Sequence, residues 1–231
     1  MSRWVISLTL LVGCFILAEW LPFSSYFRNV DTMVHEFGHA VTTLVLSGQV
    51  QYIELYEDHS GVTLSTVREG WQLIPIALSG YVVASLFALV LFYLYRRAQL
   101  RLGLFLMMLV AAISLMAFVR NEFGAQWLIG FIGLNALAFI IPVRWLRLSY
   151  YLLLSFLTLV ESVYGTVTIL LLSLLEPEKA GDAATLAQLT GIPAVFWGGL
   201  FLIFSLWVAM KAVGYFVAPP KRNLWAPKQR I

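Results

Sequence analysis

Trp71-Gln-Leu-Ile-Pro-Ile-Ala-Leu-Ser-Gly80-Tyr-Val-Val-Ala-Ser-Leu-Phe-Ala-Leu-Val-Leu-Phe-Tyr-Leu-Tyr95 contains no charged residue. At about 1.5 Å per residue, a helix of this stretch is long enough to cross the ~30 Å hydrocarbon core of a bilayer. Moving outward, the runs Leu102–Val119, Phe123–Val143 and Ile192–Met210 are equally uncharged, Leu148–Leu175 carries only Glu161, and Trp4–Phe23 carries only Glu19. Of the 231 residues, 61% are hydrophobic and 12% charged, with a mean hydropathy of +0.85. Soluble domains carry about 25% charged residues. Water could not solvate this much apolar surface, so lipid is the solvent and the chain is an integral, multi-pass membrane protein. The fold class expected is all-α and polytopic, with six to seven transmembrane helices. The count depends on whether the shorter, more polar segment at 30–47 crosses as well.

The remaining punctuation is sparse. No small-x-small cleavage site follows Trp4–Phe23, so that run is expected to stay as an anchor. Asn29 and Asp31 are good N-caps for a helix from about Val30 to Ser47 that stops at Gly48. Residues 49–66 change character. Val50, Tyr52 and Leu55, then Val62 and Leu64, alternate as short strands do, with Ile53 out of phase and Asp58-His-Ser-Gly61 as the turn. A small β-hairpin is expected there, at the membrane edge or covered by protein, because an open strand edge cannot face lipid. Pro75 opens or kinks the following helix, and Ser79-Gly80 offers a small surface for close helix contact. The expected organisation is one membrane-embedded domain over 1–218, with the hairpin as an insert, and a basic flexible tail over 219–231.

The net charge of +3 does not indicate nucleic acid, since the basic residues sit at run ends and in the tail rather than along a groove-reading helix. Arg96, Arg97 and Arg101 fall in one loop, Arg144 and Arg147 in another, and Lys221, Arg222, Lys228 and Arg230 in the tail. The positive-inside bias puts these on the cytoplasmic face of, most simply, the cell membrane. Most of the eight tryptophans fall near run ends, as interfacial residues do. A single cysteine, Cys14, excludes an intrachain disulfide or a cysteine metal cluster.

The chemistry is concentrated in His35-Glu36-Phe37-Gly38-His39. Positions i and i+4 lie one above the other on a helix face, about 6 Å apart along the axis, so both imidazoles can converge on one metal ion. Neutral imidazole suits zinc, and Glu36, turned about 100° away, stands beside the ion as a general base for water. Gly38 leaves room for a substrate backbone or for a packed helix. Ionisable residues among membrane spans are expensive and usually functional. The bland alternative is a polar interfacial helix whose His and Glu face headgroups.

A zinc site needs a further ligand. Asp182 leads the candidates, competing with a role as N-cap of a helix over Ala183–Leu189. Glu161 follows, competing with a role as a paired core acid, and Glu122, Asp58 and His59 come behind. Arg120-Asn121-Glu122 reads as a polar loop with a lesser claim to substrate contact.

On Val34-His-Glu-Phe-Gly-His-Ala40, Gly48, the strand region ending at Gly61, and Asp182-Ala183…Leu186-Ala187…Thr190-Gly191-Ile192-Pro193…Trp197-Gly198, the sequence resembles the site-2 protease group of intramembrane zinc metallopeptidases, most of all the M50B-like branch. The resemblance implies zinc held by His35, His39 and an acidic residue, Glu36 as the catalytic base, and a membrane protein substrate cut within or beside the bilayer. The sequence departs from the better-studied members by lacking an Asn-Pro-Asp-Gly motif, so Asp182 stands in as the third ligand by inference. A catalytically silent scaffold of the same fold is the leading alternative, and a metal transporter or sensor a lesser one.

Overall fold

Lipid offers no hydrogen bonds to the backbone, so each apolar run closes its own peptide groups into a helix. The computed structural model describes residues 24–218. The order is α1 (Ser24–Val45), β1 (Gln49–Leu55), β2 (Gly61–Thr66), α2 (Leu73–Arg96), α3 (Leu100–Ile113), α4 (Glu122–Ile140), α5 (Arg144–Leu175), α6 (Gly181–Thr190) and α7 (Ala194–Val217). A π-helical turn, Ser114–Phe118, extends α3. Five of these, Gly70–Arg96, Leu100–Phe118, Glu122–Ile140, Arg144–Leu175 and Ala194–Val217, are long and apolar enough to cross a membrane. They match the runs read from the sequence. The Trp4–Phe23 run and the 219–231 tail lie outside the described residues.

α1 differs from its N-terminal expectation. It begins at Ser24 and runs straight through Asn29 and Asp31, so neither is a cap. Cap preference is a local rule, and tertiary contacts override it here. Asn29 Oδ1 pairs with His59 Nδ1 at 2.8 Å, and Asn29 Nδ2 donates to Tyr56 O at 3.3 Å. Pro75 sits in the first turn of α2, where its missing N–H costs nothing, and so opens that helix.

The hairpin forms as an antiparallel pair, with a register irregularity between Val50 and Tyr52. That irregularity shifts the alternation, so Ile53 and Leu55 become the buried residues of β1. The outer edge of β1 is occupied. Ile53 bridges Val119 in parallel, Arg120 N donates to Ile53 O at 3.1 Å, and Asn121 clasps Leu55 through both Nδ2→O (2.5 Å) and N→Oδ1 (3.2 Å). The Arg120-Asn121 segment is therefore a strap that fixes the hairpin to the bundle.

Beneath the hairpin, α1 packs on α2 and α5, and α2 on α7. Tyr151 is fully buried and donates to Leu91 O at 2.7 Å, tying α5 to α2. Trp127 departs from the interfacial expectation. It is buried, stacks on Phe131 (5.0 Å, 10°), and donates its indole N–H to Tyr26 O at 2.7 Å. Arg101 stacks over Phe139, and Arg147 Nη2 donates to Ile141 O at 2.9 Å, so the basic loops cluster at one end of the bundle. The hairpin and α6 join the opposite ends of the spans.

Candidate metal centre

α1 carries His35 and His39 on the face turned toward α2. His39 Nδ1 is 2.7 Å from Ile76 O. A carbonyl only accepts, so Nδ1 carries the proton in the neutral ring and Nε2 is left with a bare lone pair. The two histidines pack edge to face, centroids 4.6 Å apart. This close packing is possible because α2 presents Gly80. A Cβ there would stand 2.5 Å from His35 Cε1 and 2.7 Å from His39 Cε1. Gly38 faces Val83 and Ser79 O of α2, so the room it leaves is filled by a helix rather than by substrate.

The third group arrives from α6, more than 140 residues along the chain. Asp182 lies in the first turn of α6, with Ala180 at the cap position, so it is not the N-cap. Its Oδ2 lies 3.2 Å from His35 Nε2 and 3.3 Å from His39 Nε2, and the two Nε2 atoms are 2.9 Å apart. Burial alone would push the Asp182 carboxyl up; the His39 and His35 imidazoles reverse this and hold it well below the usual carboxylate range. Three donor atoms on a tetrahedral zinc at 2.0–2.1 Å lie about 3.3 Å from one another. The observed triangle is close to that spacing, and two imidazoles, neutral once a metal ion displaces the proton they share with Asp182, make with one carboxylate a donor set that suits zinc. His35, His39 and Asp182 form the one such group of His, Cys, Asp and Glu side chains among the described residues.

Glu36 is 5% exposed. Thr63 of β2 donates to its Oε2 at 2.6 Å and lies 3.1 Å from its backbone oxygen. Its other oxygen lies against Gly61, where a Cβ would stand 2.9 Å from Oε1. β2 thus orients the carboxylate without crowding it. The group opens onto a cleft of about 600 Å³ walled by α1, β2, α2, α5 and α6. Tyr81 completes the wall, its ring edge-on to His35 at 4.5 Å.

The other candidate ligands lie elsewhere. Glu161 pairs with Arg28 Nε at 2.8 Å. Glu122 accepts from Gln126 at 2.9 Å on the surface. Asp58 is held in the hairpin turn by the Ser60 N–H and hydroxyl, at 3.0 and 2.6 Å. His59 borders the cleft but gives its Nδ1 to Asn29. Sequence reasoning did not single out Thr63 or Tyr81. Neither carried a signal: the period-two reading of β2 rested on apolar Val62 and Leu64, which are exposed here, while Thr63 faces inward.

The family model for Peptidase M50B-like proteins matches residues 5–212, and the chain belongs to that family. No curated protein and no solved structure matches it.

Proposed function

We propose that this member of the M50B-like peptidase family is an integral membrane zinc endopeptidase of the site-2 protease type. Its substrate is another membrane protein, cut within or beside the bilayer. The observation that carries the reading is the convergence of His35 Nε2, His39 Nε2 and Asp182 Oδ2 beside a buried, oriented Glu36. His35, His39 and Asp182 would hold the zinc, which when bound supplies Lewis-acid polarisation of the scissile carbonyl and acidifies water. Glu36 takes the proton from the attacking water and returns it to the leaving amine nitrogen. Thr63 ties down one Glu36 oxygen, so the other is the one aimed at water.

The outer edge of β2 is the natural place for substrate. Val62 to Ser65 line the cleft, while the edge of β1 is covered by Val119 and Arg120. An extended segment of substrate can add to β2 as a third strand, its backbone pairing with an edge that has no strand partner among the described residues. Proline at Val62 or Leu64 should then lower cleavage and leave metal content intact; unchanged cleavage removes strand addition from the reading. Positive-inside bias puts the basic loops and tail in the cytoplasm of a cell-membrane protein, with the hairpin and α6 on the far side.

The test uses the full chain and Glu36→Gln, purified in detergent and returned to vesicles with candidate transmembrane segments. Cleavage by the wild type alone, with equal zinc in both, is the expected result. Equal cleavage by both removes Glu36 from the mechanism.

A further inference from the structure

Tyr81 follows Gly80 on α2 and is fixed from three directions. Its ring meets His35 edge-on at 4.5 Å and 78°, and Phe201 of α7 at 4.7 Å. Gly165 of α5 approaches the ring edge, where a Cβ would sit 3.6 Å from Cε1. The side chain borders the cleft together with His35, His39, Glu36 and Asp182. Its hydroxyl makes no hydrogen bond among the described residues.

The chemistry calls for a protein hydrogen-bond donor to share, with the zinc that His35, His39 and Asp182 would hold, the charge that develops on the carbonyl oxygen. Attack by water on a peptide carbonyl builds negative charge on the carbonyl oxygen, here among several carboxylates. Preorganised donors at such an oxygen are usually the largest protein contribution to rate. No Arg or Lys lines this cleft among the described residues. The hydroxyls of Thr32, Ser60, Thr63 and Thr185 donate to His59 O, Asp58, Glu36 and Gly181 O, and Ser65 Oγ accepts from Thr43. Tyr81 adds to the cleft an uncommitted hydroxyl on a ring held rigidly edge-on to His35.

We propose that Tyr81 is a further catalytic residue, whose hydroxyl donates a hydrogen bond to the scissile carbonyl oxygen as it becomes an oxyanion. The proposal rests on the peptidase reading above. In the addition step the water oxygen bonds to the carbonyl carbon, the carbonyl π pair moves onto oxygen, and the water proton passes to Glu36. Tyr81 stabilises that oxygen without giving up its proton. In the collapse step the carbon–oxygen double bond re-forms, the carbon–nitrogen bond breaks, and Glu36 protonates the amine nitrogen.

Tyr81→Phe in the full chain keeps the ring against His35 and Phe201 and removes only the donor. Its kcat should fall about 100-fold, as for loss of one oxyanion donor, with KM, zinc content and melting temperature unchanged. A phosphinate analogue of the cleaved segment, which mimics the tetrahedral anion, should lose affinity by a similar factor. Wild-type kcat in Tyr81→Phe overturns the proposal, as does a change confined to KM or to zinc content. A wild type that cleaves nothing overturns the peptidase reading and this role with it, whereas an active wild type matched by Tyr81→Phe overturns this role alone.

Discussion

Gly80 lies so close to His35 that a single added carbon would stand 2.5 Å from the imidazole Cε1. The absence of a side chain on α2 therefore seats both histidines. Gly80→Ala should push the imidazoles out of the triangle they form with Asp182 and weaken zinc binding about 10- to 100-fold, the usual effect of disturbing a ligand's support. Chelator competition measures this, and wild-type affinity in the alanine variant would mean the imidazoles are held by other contacts.

Thr63 should matter for rate and not for metal. Its hydroxyl donates to the Glu36 carboxylate at 2.6 Å, and hydrogen bonds to charged groups contribute about 1.5–3 kcal/mol. Thr63→Val, nearly the same shape, should lower kcat about tenfold or more while zinc content stays stoichiometric. An unchanged kcat would show that Glu36 is oriented by its helix alone.

Asn121 tests whether the hairpin must be strapped down. Its side chain satisfies both the N–H and the carbonyl of buried Leu55. Asn121→Ala leaves those two groups unpaired, at about 1–3 kcal/mol each. Melting temperature should fall, and cleavage should fall with it because β2 carries Thr63 to Glu36. A variant with a lower melting temperature but full activity would separate the strap from the site.

The spans were legible in the sequence because uncharged runs of this length have one stable fate in lipid, and 71–95 needed no partner to be read. The hairpin was legible from its turn and alternation, but its inward face was not. A register irregularity between Val50 and Tyr52 decides that Ile53 points inward, and nothing local announces it. Asn29 and Asp31 looked like caps because a cap is judged from neighbours, whereas His59 and Tyr56 claim Asn29 from 30 and 27 residues away. Trp127 looked interfacial by position and is buried by its partners Phe131 and Tyr26. The two histidines were visible as an i, i+4 pair. The approach of Asp182, set by how α6 docks on α2, was one candidate among five.

Orientation is open to a direct check. With Cys14 replaced, a membrane-impermeant maleimide should label Glu57→Cys in the exposed hairpin turn of intact cells. Arg97→Cys, at the basic end, should react only after permeabilisation. The reverse pattern would invert the positive-inside assignment.

Zinc X-ray absorption on the purified full chain reads whether His35, His39 and Asp182 hold one zinc beside Glu36. The expected result is one zinc per chain, with two imidazole nitrogens and a carboxylate oxygen at about 2.0–2.1 Å, and loss of that metal in Asp182→Asn. Protein purified without stoichiometric zinc, or a coordination shell unchanged in Asp182→Asn, would contradict it.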